Sequence, residues 1–157
     1  MAQLTFKGFP AAAFDWFAGI AQNNNKDWFE ANRATFESAV KAPLSALMED
    51  AAETFGGQVK LSRPHRDVRF SKDKSPYKRN LFAVLHSFND ENSAQMTAAG
   101  LYCSISADGL FAGTGYYEMT PDQLARYRAA LGDDGKADAL SAAMTAAGKT
   151  CEVRGRR

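Results

Sequence analysis

The chain has 157 residues, 45% hydrophobic and 24% charged, with 19 Lys and Arg against 18 Asp and Glu and a formal net charge of +1. Such a composition excludes disordered, collagen-like and coiled-coil chains, and it fits one domain, residues 1–157, that buries roughly 68–70% of its unfolded surface. Two cysteines, Cys103 and Cys151, cannot form a disulfide framework, and no CxxC spacing marks a metal site.

No apolar run nears the roughly 20 residues of a membrane span. The N-terminal residues also lack the basic and apolar blocks of a signal peptide, so a cytoplasmic location without a membrane partner is expected. Residues 10–56 read as helical. Pro10 suits a first helical turn, and Phe14, Phe17 and Ile20 form one stripe. Asn23, Asn24 and Asn25 interrupt and can cap a second helix, with Asp27 and Glu30 in its first turn and Phe29, Phe36 and Val40 on its buried face. Pro43 is expected to end or kink that helix. Leu44, Leu47, Met48, Ala51, Ala52 and Phe55 continue at helical spacing to Gly56 and Gly57, where a stop is expected.

From 59 to 118 the pattern is that of strands. Val68 and Phe70 alternate with Asp67 and Arg69, which predicts a short strand with the apolar pair in the core. Residues 81–88 are continuously apolar, as a buried strand would be, and 89–99 read as a polar loop. Strands at 101–106 and 110–117 flank Ala107, Asp108 and Gly109, a tight antiparallel hairpin. Residues 120–148 return to helical patterning. Thr120, Pro121 and Gln123 make a helix start with a capping box, followed by Leu124, Tyr127, Arg128 and Leu131. Leu140, Ala143, Met144 and Ala147 form a last amphipathic helix before Gly148, and residues 150–153 read as the start of a further strand that the chain does not finish. The fold expected is α+β, with N-terminal helices on a mainly antiparallel sheet and further helices after it.

The near-neutral total conceals an uneven distribution. Residues 60–79 hold eight bases (Lys60, Arg63, Arg66, Arg69, Lys72, Lys74, Lys78, Arg79) against Asp67 and Asp73, a local net of +6, while the remainder holds 11 bases against 16 acids, a net of −5. Arginine offers a planar fork for carboxylate or phosphate, and lysine a compact cation on a flexible stem. Beside Ser71, Ser75 and Tyr77 this set can hold a phosphate or a polycarboxylate. The candidate ligand-binding residues are Arg63, Arg66, Asp67, Arg69, Lys74, Tyr77 and Lys78. Arg66, Arg69, Lys74 and Lys78 are expected to contact an anion, Asp67 to orient an arginine and Tyr77 to donate a hydrogen bond. Asp73 can equally shape an Asx turn.

The string Arg63-Pro64-His65-Arg66-Asp67-Val68-Arg69-Phe70-Ser71-Lys72-Asp73-Lys74-Ser75-Pro76-Tyr77-Lys78 closely resembles the signature of a conserved hypothetical family, domain of unknown function 2461. The resemblance extends upstream to Asn24-Asn25-Lys26-Asp27-Trp28-Phe29 with Asn32 and Arg33, and downstream to residues 113–117 and 126–131. It implies an α+β domain, motif positions at Arg63, Arg66, Asp67, Arg69, Phe70, Asp73, Lys74 and Tyr77, and a C-terminal stretch continuing from Arg154. It implies no activity.

Weaker signals are read as structural. Gly113-Thr114-Gly115 lacks the spacing of a phosphate loop and reads as a bulge or strand-end turn. His86 reads as a satisfied core residue, Trp28 as a groove or stacking residue, and His65 as a hydrogen-bonded residue in basic surroundings. No Ser-His-Asp arrangement, metal-ligand spacing or cofactor motif is present. Whether the protein is an enzyme and what its oligomeric state is are left open. Three functions are expected to compete: binding, with or without turnover, of a phosphate-bearing small molecule or nucleotide; nucleic-acid binding with Phe70, Tyr77 or Trp28 stacking on bases; and a structural network in which the arginines pair with Glu30, Glu37, Glu49, Asp50 or Glu53.

Overall fold

The computed structural model describes residues 6–86, 99–116 and 118–149. They fall into two compact units divided after residue 117.

In the first unit the helices come first. Helix α1, Ala11–Gln22, begins after Pro10, which occupies the cap position with extended backbone rather than the first helical turn. Its buried residues, Ala13, Trp16, Phe17 and Ile20, recur at three- and four-residue spacing, and Phe14 is left half-buried beside the stripe. Helix α2, Lys26–Ala31, is capped by Asn25, whose side chain accepts from the Trp28 N–H at 2.9 Å. A single turn, α3, Arg33–Thr35, leads into a π-helical stretch, Phe36–Lys41, and then α4, Ala42–Phe55.

Pro43 does not end the helix. It sits in the first turn of α4, where its missing N–H is tolerated, and the widened turn before it adjusts the register. The Ala42 N–H bonds to the Glu37 carbonyl, five residues back, which relieves the contact a proline ring makes with the carbonyl four residues before it. α4 ends at Gly56, with φ of +70°. Gly57 follows with φ of +112°, and a Cβ there would lie 2.3 Å from the His86 carbonyl oxygen. Only glycine brings the chain that close to the sheet.

Four antiparallel strands follow in spatial order β1-β2-β3-β4: β1 Gln58–Leu61, β2 Asn80–His86, β3 Ala99–Ser106 and β4 Gly109–Tyr116. Burial alternates along β2, so Leu81, Ala83 and Leu85 face the helices while Phe82, Val84 and His86 face away. Cys103 and Ile105 from β3 join the inner face, and Trp16, Phe17, Ile20, Phe29, Phe36, Val40, Leu44 and Met48 cover it. The expected hairpin is present with Ser106 opposite Gly109. The positive φ it needs falls on Gly109 alone, at +122°, so Asp108 keeps ordinary backbone geometry.

Two strand expectations need correction. Residues 67–70 are irregular, and Phe70 is 97% exposed rather than in the core. Gly113 and Gly115 lie inside β4, paired with Tyr102 and Gly100, instead of at a strand-end turn. The loop expected at 89–99 lies outside the described residues except for Ala99, which begins β3, and the strand start at 150–153 lies wholly outside them.

The second unit contains α5, Pro121–Ala130, and α6, Asp134–Ala147. The capping box forms as expected: the Thr120 side chain accepts from the Gln123 N–H, and the Gln123 side chain accepts from the Thr120 N–H. Asp133 caps α6 through the Lys136 N–H at 3.0 Å. Neither helix has a buried residue.

Candidate functional site

The basic segment is the connection between β1 and β2, residues 62–79. It exceeds the usual upper length of a loop without regular structure, roughly 12–15 residues, beyond which loops are usually functional or linker segments. Its neck is held by backbone pairing. The Arg66 N–H donates to the Pro76 carbonyl and the Lys78 N–H to the Pro64 carbonyl, both at 2.8 Å, around a bridge between His65 and Tyr77. Tyr77 is 4% exposed and lies parallel to Phe29, with ring centroids 4.2 Å apart. The Asn24 amide clamps the Tyr77 backbone on both sides, its Oδ1 accepting from the N–H at 2.9 Å and its Nδ2 donating to the carbonyl at 3.0 Å. The helical layer thereby fixes the base of the loop.

Beyond the neck, polar side chains replace a ladder. The half-buried Arg66 guanidinium gathers Asp73, Ser75 Oγ and, at 3.3 Å, Ser71 Oγ. Asp73 also closes an Asx turn, its Oδ1 accepting from the Ser75 N–H at 2.9 Å. Bonds from the Ser75 N–H, the Ser75 hydroxyl and Arg66 hold the Asp73 carboxyl far below the ordinary aspartate range. Asp67 receives Arg69 in a fork, Nε to Oδ1 at 2.9 Å and Nη2 to Oδ2 at 2.6 Å. That bonding lowers the Asp67 pKa and raises that of Arg69. The pair is exposed, an arrangement worth about 0–1 kcal/mol. Lys74 donates to the Val68 carbonyl at 2.9 Å.

Both acids of the segment are therefore engaged by Arg66 and Arg69. Among the described residues no carboxylate pairs with Lys60, Arg63, Lys72, Lys78 or Arg79. Three acids of the N-terminal helices bond elsewhere than the loop: Glu30 with Arg33, Glu37 with Lys41, and Asp50 with the Phe6 N–H. Lys78 Nζ lies 5.0 Å from the centroid of the Phe82 ring. Burial lowers the Lys78 pKa, and the positive charge of Arg63 lowers it further. The charge of Arg63 thus acts on Lys78, and neither pairs with a carboxylate among the described residues.

The seven candidate residues divide accordingly. Arg66 is the internal tie of the loop, Asp67 and Arg69 form an exposed pair, Lys74 binds backbone, and Tyr77 belongs to the core. Arg63 and Lys78 remain as cations at the neck without a carboxylate partner among the described residues. The roles of Asn24 as tether and Phe29 as the platform under Tyr77 were not visible in the sequence, where Asn24 reads as a cap. Trp28 packs inward: a Cβ on Gly19 would lie 2.4 Å from its ring, and Trp16 is 5.6 Å away, centroid to centroid. His86 also departs from expectation, since its Nδ1 is buried without a hydrogen-bond partner among the described residues. Among the described residues there is no cluster of three His, Cys, Asp or Glu able to hold a metal, and no helix is long and apolar enough to cross a membrane.

No curated protein and no solved structure shows a significant match to this sequence. The family described as conserved hypothetical protein (DUF2461) matches residues 12–155, and the chain belongs to it.

Proposed function

We propose that the 62–79 loop binds the phosphate of a small molecule or nucleotide, with Arg63 and Lys78 as the contacting cations. The observation that carries this reading is the distribution of partners: both acids of the segment are taken by Arg66 and Arg69, and the two cations at the neck are left without a carboxylate. Like charges held together and partly desolvated weaken the fold unless an anion joins them. Arg66, Asp73, Ser71 and Ser75 then serve as the frame that keeps the loop in shape.

A thermal-shift series with pyrophosphate, nucleotides, phosphosugars and dicarboxylates tests the proposal. A ligand at about 100 times its Kd stabilises by about 2.7 kcal/mol. For a protein of this size that raises Tm by about 5–10 °C. Arg63→Ala and Lys78→Met should abolish the shift. If no phosphate compound moves Tm, or if both variants keep the full shift, the reading fails.

Phe70 supports a second reading. It is 97% exposed, with the Arg69 guanidinium 6.0 Å from its ring, an arrangement on which a nucleobase could stack. Binding to single-stranded DNA or RNA that weakens steeply with salt and depends on Phe70 would select it. The net charge of −5 on the rest of the chain opposes approach to a polyanion, so the small-ligand reading is preferred.

A further inference from the structure

The outer face of the sheet, turned away from the helices, carries a groove of about 560 Å³ lined by Phe82, Val84, His86, Tyr102, Phe111 and Gly113, among others. That volume lies within the range of small-ligand sites, about 300–1,000 Å³. The floor is aromatic. Phe82 and Tyr102 lie 5.6 Å apart at 30°, and Phe111 lies 6.0 Å from Tyr102 at 63°.

The strand register explains both the hollow and its charge. Lys60, Val84, Tyr102 and Gly113 form one row across the four strands, and Gln58, His86, Gly100 and Gly115 form the next. The glycines leave the β4 side of both rows without side chains. At Gly100 packing requires this, because a Cβ would lie 2.8 Å from the Leu85 carbonyl oxygen. Gly113 is different: a Cβ there would meet only the Phe111 ring, at an ordinary 3.6 Å, and its φ is not positive. A glycine inside a strand weakens it and often marks a bulge, a bend, or the close approach of a ligand or another backbone; the register through Gly113 is unbroken, so no bulge accounts for it.

The rows across the face contain no acid. Its charge is Lys60, joined at the Phe82 end by the Lys78 ammonium. At the opposite end, His86 Nδ1 is a buried polar atom with no partner among the described residues. A ring system with polar edges, carrying an anion at one end, complements all three features.

We propose that this groove holds the planar aromatic part of the ligand, a nucleobase in a mononucleotide, with its phosphate directed to Lys78. The inference rests on the reading of Lys78 and Arg63 as phosphate contacts, and it adds the substrate class. The ring stacks on Tyr102 and Phe82 over the open floor at Gly113. The groove has the volume of a single small-ligand site, so a free mononucleotide is the occupant proposed, and an extended strand is the alternative that the test separates.

Calorimetric titration of the full chain with adenosine monophosphate, uridine monophosphate and inorganic pyrophosphate tests this. At least one mononucleotide should bind about tenfold or more tighter than pyrophosphate, the lower part of the range for stacking one base on an aromatic side chain. Gly113→Val should fill the hollow, removing that advantage while leaving pyrophosphate binding unchanged. Its Tm should equal or exceed that of the parent, because valine favours a strand. Phe111→Ala, a truncation at a 64% exposed ring, gives a second readout if the valine variant fails to fold, and it should lower nucleotide affinity severalfold. Pyrophosphate binding without a nucleotide advantage, or nucleotide binding unaffected by both variants, overturns the groove and leaves the basic loop standing. Absence of binding by every probe overturns both. Binding of a single-stranded 12-mer with no mononucleotide binding overturns the pocket in favour of a nucleic-acid surface.

Discussion

Replacing Asn24 with alanine removes one side chain and orphans two backbone groups 53 residues away. The Tyr77 N–H and carbonyl lose bonds of 2.9 and 3.0 Å, at a residue only 4% exposed. A buried group left unpaired costs about 1–3 kcal/mol. Two such groups at a half-buried clamp that water can partly re-solvate should cost about 2–4 kcal/mol. At about 2–4 °C of Tm per kcal/mol for a chain of this size, the shift is about 5–15 °C downward. Urea unfolding should show a lower midpoint with the slope unchanged, and amide exchange at Tyr77 should accelerate by a larger factor than exchange in α4. Asn24→Asp refines the test. Its carboxylate still accepts from the Tyr77 N–H but faces the Tyr77 carbonyl with an oxygen, so it too destabilises near neutrality and recovers in part below about pH 4, where a protonated carboxyl donates. Because Lys78 follows Tyr77 directly, Asn24→Ala should also weaken phosphate binding without touching the ligand. Unfolding free energies of Asn24→Ala and the parent within about 0.5 kcal/mol, the range of ordinary surface changes, would refute the account of the tether.

Gly19→Ala should destabilise the protein although alanine is the better helix former by about 1 kcal/mol. The new Cβ would meet the Trp28 ring at 2.4 Å, and overpacking costs about 1–3 kcal/mol; a rise in the urea midpoint would contradict the contact. Asp73 has a lowered pKa when folded, so its bonds stabilise the protein fully above the ordinary value of about 3.9 and progressively less as pH falls below it. The stability difference between the parent and Asp73→Asn should therefore shrink on acidification below about pH 4, and a constant difference from pH 6 to pH 2 would exclude the linkage. Lys78 has the opposite sign. Its charged form is penalised on folding, so stability should rise as pH climbs through its lowered pKa toward the ordinary value of about 10.4. Lys78→Met should remove that rise and, in the absence of ligand, melt no lower than the parent at neutral pH.

Where the sequence was legible, a single local rule decided the outcome. Thr120 with Gln123 and Asn25 before Trp28 each satisfy backbone groups within a few residues, and the structure has both where the rule puts them; the hairpin at Asp108 and Gly109 also forms, although Gly109 alone takes the positive φ. The 67–70 segment was misread because period-two alternation over four residues is a weak signal when the polar neighbours have other partners. Asp67 bonds Arg69, Asp73 bonds the Ser75 N–H, and Lys74 bonds the Val68 carbonyl, so local bonds displace the ladder and Phe70 is carried into solvent. The helix does not end at Pro43, one of the two outcomes expected there, because it widens by one residue ahead of the proline instead of stopping. The Asn24 tether and the groove were hidden for a different reason. Each depends on a pairing between distant residues, Asn24 with Tyr77 and Tyr102 with Gly113, that no local pattern encodes.

The basic motif separates into two kinds of cation once partners are assigned. Arg66 is held in place because Asp73 and two serines accept three of its five N–H donors, so it serves first as the frame of the loop. Arg63 and Lys78 sit at the neck, where Asn24, Phe29 and the backbone pairing give the loop its firmest base. Unpaired cations at the well-anchored end of a loop oppose stability there, and that is the ground on which the phosphate reading is proposed. A purely structural network would pair its cations first at such a point. Asp67 with Arg69 and Asp73 with Arg66 use both acids of the loop, so Lys72 in its outer part and Arg63 and Lys78 at its base are left without a carboxylate among the described residues, Lys78 beside the groove that Phe82 lines.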